Sequence, residues 1–169
     1  VDIWGMDGIE ADAELLSVMV SLFRSVGLTS EDVVIKISSR KVLEEVLGSL
    51  GIVGESFAKT CVIIDKMDKL PAEAIASQLS DMGLDDDSIS TIQTVLGISN
   101  LSDLGGSLNA GSTASTELEA LFSLIDSYGI SDWVQFDASI VRGLAYYTGP
   151  VFEAHDRPGK LRAICGGGR

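Results

Sequence analysis

Phe136-Asp137-Ala138-Ser139-Ile140-Val141-Arg142-Gly143-Leu144-Ala145-Tyr146-Tyr147-Thr148-Gly149-Pro150-Val151-Phe152-Glu153, followed shortly by Ala163-Ile164-Cys165-Gly166-Gly167-Gly168-Arg169, is the stretch on which the reading of this chain turns. It sets one arginine and two tyrosines in an apolar, strand-like run. Polar groups in such a run are costly unless paired, so a cation beside phenolic rings in the body of a sheet suggests a pocket for an anionic, ring-bearing ligand. On either side, Trp133 to Asp137 alternates as a strand, and Val151 to Ala154 and Leu161 to Cys165 read as further strands. Asp156-Arg157-Pro158-Gly159 makes a turn between them. The last third of the chain is therefore predicted to be an antiparallel sheet.

Working back from that sheet, Glu10 to Val26 carries apolar residues at Ala11, Leu15, Val18, Met19, Leu22, Phe23 and Val26, the stripe of an amphipathic helix, with Gly27 as its stop. Val33 to Ile37 is short and β-branched, a strand. Ser38 and Ser39 lead from it into a helix with Val42, Leu43, Val46, Leu47 and Leu50 on its apolar face. Val1 to Gly5 reads as the end of a strand that began upstream, as if the chain were cut from something larger. From Gly54 the character changes to short helical modules. Pro71 opens one bearing Ile75, Leu79 and Met82, and Asp85 to Ser88 caps another bearing Ile89, Ile92, Val95 and Leu96. Asn100 to Ala114, rich in Ser, Gly and Asn, reads as a brief helical turn and a loop. Thr116 to Tyr128 is helical again, with Gly129 as its C-terminal cap. The pattern is α+β, divided as residues 1–53, a helical insertion over 54–113, and 114–169.

The chain has 169 residues, with 46% hydrophobic and 22% charged and a mean hydropathy of +0.30, a globular composition large enough for a real core. Its apolar runs fall short of a membrane span, and the first residues lack a signal peptide's basic start and apolar core. Cys61 and Cys165 lie in strand-like apolar settings without CxxC spacing, which predicts inert thiols in a reducing compartment. The net charge of −13 repels phosphate backbones at long range. Any nucleic-acid contact must be local, around Arg157, Lys160, Arg162 and Arg169, unless these are ordinary solvated turn residues. The lone His155 leaves no Ser–His–Asp arrangement and no metal cluster, and reads as a surface residue. Neither Gly5-Met6-Asp7-Gly8 nor the triple glycine has dinucleotide-fold or P-loop spacing. The acidic runs Glu10 to Glu14 and Asp85 to Asp87 sit at helix starts, where the dipole explains them.

The Arg142-Gly143-Leu144-Ala145-Tyr146-Tyr147-Thr148 run resembles the first histidine-binding signature of the histidyl-tRNA synthetases, and Gly166-Gly167-Gly168-Arg169 resembles the start of the second. The likeness implies an antiparallel sheet of the class II synthetase type with flanking helices and a helical insertion. It also implies roles for residues. An arginine in Arg142's setting must reach solvent, pair within the scaffold, or meet an anion with its planar fork. By resemblance, Arg142 lies against the α-phosphate of ATP, where attack of the histidine carboxylate builds negative charge. Tyr147 then hydrogen-bonds the imidazole of substrate histidine, with Tyr146 packing beside it. Adjacent tyrosines on a regular strand face opposite ways. Because Arg142 and Tyr147 stand an odd number of positions apart yet serve one pocket, a bulge or kink is predicted between them, with Gly143 permitting it.

The resemblance further matches Asp2 to an acidic residue that binds the α-amino group of histidine. Gly166 and Gly167 would let the imidazole approach closely, and Gly168 would do the same for the nucleotide. Thr148 and Glu153 match positions near the site, while Ala145 stands where many family members carry an acidic residue. The implied function is that of a histidine–tRNA ligase, which makes histidyl-adenylate from ATP and then charges tRNA(His), with Mg2+ accompanying ATP and no protein ligand for it identifiable. The alternative is a synthetase-like regulatory subunit of ATP phosphoribosyltransferase, which the well-kept Arg-Gly-Leu-x-Tyr-Tyr string disfavours. The chain alone is expected to be inactive, since the other class-defining motifs and an anticodon-binding domain are not in it. The parent is expected to be a homodimer, away from membranes, in the cytoplasm or in a plastid or mitochondrion if eukaryotic.

Overall fold

The computed structural model describes residues 1–67, 70–109, 111–142 and 146–169. A four-stranded sheet, β1 (Val33–Ser39), β2 (Val134–Phe136), β3 (Pro150–Asp156) and β4 (Cys165–Gly168), is ordered β2-β1-β3-β4. β1 and β3 pair antiparallel along their whole length, from Val33 opposite Asp156 to Ser39 opposite Pro150, and β3 pairs antiparallel with β4. β2 lies parallel to β1, so the sheet is antiparallel except at that edge. The sequence gives no sign of it, because strand direction is set by the path of the connection rather than by alternation.

The two faces of the sheet are unlike. Val33, Ile35 and Ile37 of β1 and Phe152 and Ala154 of β3 share one face and join the main core. Against them pack α1 (Ile9–Ser25), through Ala13, Leu16, Val20 and Phe23, and α7 (Thr113–Ser127), through Leu118, Leu121 and Ile125. Burying a side chain of this size contributes about 1.5–3 kcal/mol, so this layer accounts for most of the fold's cohesion. α1 ends where its sequence says: Gly27 takes φ +83°, and its N–H and that of Leu28 return to the carbonyls of Arg24 and Phe23. The other face carries Lys36 of β1 and Val151, Glu153 and His155 of β3. Ile140 and Tyr147, from the described residues between β2 and β3, pack on it against Val151.

α2 (Arg40–Ser49) follows β1 directly, with Ser39 as its cap. Then come α3 (Gly54–Ile64), α4 (Ala72–Asp81), α5 (Asp86–Leu96) and the short α6 (Leu101–Leu104). Leu43 and Leu47 of α2 form a second cluster with Cys61 and Ile64 of α3, Ile92 and Leu96 of α5, and Val141. Ile75, Leu79 and Ile89 make a third.

Several expectations change. Val1–Gly5 is not a strand, having no partner strand among the described residues. Cys61 is buried on helix α3, and Cys165 is exposed on β4. β4 begins only at Cys165, because the Asp156 carboxylate accepts from the amides of Lys160 and Leu161 and holds the chain in a wide turn beyond Gly159. Most consequentially, the described residues from Asp137 to Gly149 form no strand. Arg142 and Tyr147 lie in a loop, so strand parity does not govern them. Gly143, where the bulge was expected, lies outside the described residues.

Candidate histidine and nucleotide site

The loop carrying Arg142 is pinned from both sides. Val141 is buried in the cluster of α2, α3 and α5, while Ile140 packs with Tyr147 and Val151 on the sheet. Opposed anchoring of consecutive residues forces the backbone to turn. Arg142 takes φ +45°, the left-handed region, at a cost of about 1–2 kcal/mol for an L-residue. It is the one non-glycine residue with positive φ among those described. Backbone strain of this kind persists only where surrounding packing over-determines it.

The strained backbone aims the guanidinium over the sheet. Its carbon lies 5.8 Å from the centre of the Tyr147 ring, and Nη1 donates to Glu153 Oε1 at 2.9 Å. A Cβ built on Gly166 would fall 2.2 Å from that same Nη1, and one on Gly168 would fall 2.9 Å from the Tyr147 ring. The bare backbone of these two glycines is therefore filled by the arginine and the tyrosine. Gly167 faces the opposite way, onto the ring of Phe152. The Nε of Arg142 is buried without a hydrogen-bond partner among the described residues, an unmet donor on a charged group.

Tyr146 is exposed, its ring 4.6 Å from that of Tyr147; a hydrogen bond with Tyr147 pushes its phenol above the ordinary range. Both tyrosines line a cleft of about 830 Å³ that wraps the free edge of β4, together with Asp2, the three glycines and the apolar residues Leu15, Met19 and Leu22 of α1. Asp2 is exposed at its rim. The structure thus brings Arg142, Tyr147, Gly166 and Gly168 together on one face, adds Tyr146 and Asp2 along the cleft, and sets Gly167 on the other face.

Two residues gain weight that the sequence did not lend them. Glu153 stands opposite Gly166 and grips Arg142, while its Oε2 lies 3.2 Å from Nε2 of His155. His155 is accordingly half-buried rather than a free surface residue. Strand alternation puts Glu153 and His155 on one face of β3, and the path of the chain returns Arg142 to it. Asp12 of α1 is buried at the cleft, its Oδ2 3.1 Å from Nε of Arg169. Burial lifts its carboxyl to about 6; Arg169 pulls it down and Glu117 pushes it up. Arg169 also donates to the Asp7 carbonyl, and Arg157 to the carbonyls of Ser30 and Asp132. Two of the four clustered cations are therefore scaffold ties. Among the described residues no group of His, Cys, Asp and Glu is placed to hold a metal ion, and no helix is long and apolar enough to cross a membrane.

The fold, a mixed four-stranded sheet with flanking helices, is that of the class II synthetases. A histidyl-tRNA synthetase from a Nostoc species superposes with a TM-score of 0.84 at 27% identity, covering 96% of this chain and 40% of that one. The Histidyl-tRNA synthetase sequence profile matches residues 1–169, and the chain belongs to that family. It is 48% identical over its whole length to the chloroplastic/mitochondrial histidine–tRNA ligase of Arabidopsis thaliana, and 37% identical over 99% of its length to the histidine–tRNA ligase of Thermoplasma volcanium. It spans 35% and 39% of the lengths of those two relatives. An ATP phosphoribosyltransferase regulatory subunit/histidyl-tRNA synthetase from Bacillus halodurans shares the fold, with a TM-score of 0.80 at 22% identity.

Proposed function

We propose that this chain supplies the histidine-recognising part of the catalytic domain of a histidine–tRNA ligase. The reaction joins histidine to the α-phosphate of ATP, releasing pyrophosphate, and passes the histidyl group to tRNA(His). In this reading residues 1–53 and 114–169 belong to the catalytic core and residues 54–113 form a helical insertion. The observation that carries it is the Arg142 guanidinium, held beside the Tyr147 ring with Nε unpaired. A fixed cation with a spare donor suits the non-bridging oxygens of a phosphorus under attack by a carboxylate, where charge grows in the transition state.

Tyr147 would present its phenol to the imidazole of histidine, with Tyr146 closing over it from the solvent side. The Asp2 carboxylate would pair with the ammonium of histidine at the cleft rim. Gly166 and Gly167 would lie along the amino acid and Gly168 beside the nucleotide. Mg2+ is expected to enter with ATP and lend charge to its phosphates; the described residues offer it no cluster of ligands. The protein is expected to act as a homodimer, in the cytoplasm or in an organelle, as the name of the Arabidopsis relative suggests.

The test is histidine-dependent exchange of pyrophosphate into ATP by this chain within its full native polypeptide. Exchange is expected, and Arg142→Ala is expected to lower kcat by roughly 10²- to 10³-fold, the usual effect of losing one preorganised charge donor. A well-folded protein without exchange would reject the ligase reading in favour of a regulatory subunit that keeps the fold without the chemistry.

A further inference from the structure

We propose that Glu153 is a positioning residue for the first chemical step. It acts through Arg142, whose guanidinium it holds by one nitrogen so that the other edge is presented to the phosphate. The inference rests on the ligase reading and on the role given there to Arg142, and it concerns a residue whose sequence setting is an ordinary strand glutamate.

Four observations converge on it. First, Glu153 Oε1 accepts from Arg142 Nη1 at 2.9 Å, leaving Nε buried without a partner among the described residues. A carboxylate that capped the fork bidentately would engage two guanidinium nitrogens; this one takes an end nitrogen only. Second, the Glu153 carboxylate is itself braced, its Oε2 lying 3.2 Å from His155 Nε2. Third, Glu153 stands in the centre of β3, opposite Lys36 of β1 and Gly166 of β4. Lys36 is paired with Asp137 at 2.8 Å and does not compete for the carboxylate. The anchor therefore sits on the most constrained backbone in the site, whereas Arg142 sits on a strained loop. Fourth, Gly166 leaves no side chain between the two, so the guanidinium lies directly over β4.

The physical need is plain. An arginine side chain has several rotatable bonds, and its loop backbone alone does not fix where the fork points. A misplacement near 1 Å at a reacting centre costs on the order of 10²-fold in rate. One hydrogen bond from a rigid strand removes that freedom. The partial neutralisation of the cation that comes with it is limited, because the carboxylate lies at one end of the fork.

Steady-state exchange, with kcat and the KM values for histidine and ATP, separates this role from a structural one when measured on the full native polypeptide. Glu153→Ala should lower kcat by roughly 10- to 100-fold while KM for histidine stays within about twofold. Glu153→Gln, whose amide oxygen can still accept from Nη1, should recover most of that loss, and Glu153→Asp, one methylene too short, should not. The double variant Arg142→Ala/Glu153→Ala should be no slower than Arg142→Ala, since a residue acting only through Arg142 has nothing left to position. Wild-type kcat in Glu153→Ala, equal losses in the Ala and Gln variants, or multiplying losses in the double variant would each overturn the proposal. If Glu153→Ala does not fold, the contrast between Gln and Asp decides alone. The underlying reading fails separately: it falls if the wild type shows no exchange or Arg142→Ala retains full activity, whatever the Glu153 variants do.

Discussion

At the scale of the residue, the glycines of β4 are the most exposed to test. A methyl group on Gly166 would meet Arg142 Nη1 at 2.2 Å and the Phe152 carbonyl at 2.7 Å. The side chain can yield, but the strand carbonyl cannot. Gly166→Ala is therefore expected to destabilise the fold by about 1–3 kcal/mol and to displace Arg142, with a drop in exchange beyond any loss of folded protein. Gly167→Ala would press on the Phe152 ring, on the other face. It should cost stability on urea unfolding and, because Gly167 lines the cleft, raise KM for histidine, while the loss of kcat is confined to Gly166→Ala. Equal losses of kcat from both would mean that the two faces are not separate environments.

At the scale of the element, α7 shows how a helix is seated by its neighbours. Ser112 caps it, with Oγ accepting from the Ser115 amide at 3.0 Å. Glu45 of α2 reaches across to accept from the Ala114 amide at 3.0 Å and from the Thr113 hydroxyl. Burial pushes the Glu45 carboxyl up, yet its hydrogen bonds with Ser112, Ala114 and Thr113 together hold it below the usual glutamate range. Its stabilising effect is thus present above the unfolded-state value and is lost as pH falls through the lower native one. Ser112→Ala should cost about 1 kcal/mol, read as a lower urea midpoint at neutral pH. The helix could be read from the spacing of Leu118, Leu121, Phe122 and Ile125, whereas the capping contributed by Glu45 could not, since the two stand 68 or more positions apart.

At the scale of the whole molecule, Asp12 and Arg169 tie the first helix to the end of the last strand, and Glu117 and Lys41 extend the tie to α7 and α2. Asp12 titrates near 6 in the fold against an ordinary 3.8. Between those values the folded state holds the extra proton, so this residue's effect on stability worsens as pH rises from about 4 to about 6 and is complete above. Asp12→Asn should flatten that part of the curve: the difference in Tm between variant and wild type should shift in the variant's favour across the window. A difference that is flat from pH 4 to 7 would show that the carboxyl titrates normally.

Local chemistry determined much of this protein. Helix α1 with its glycine stop, strands β1 and β3, and the caps at Ser39 and Asp85 all follow from spacing and residue type, because each depends on neighbours within a turn or two of chain. What the tertiary structure alone decided lies where distant segments compete. Val141 and Ile140 are drawn to different cores, so the apolar run around Arg142, strand-like by composition, becomes a strained loop rather than a strand. The parallel pairing of β2 and the meeting of Glu153 with Arg142 have the same origin. Register and chain path bring those groups together, and no local preference encodes either one.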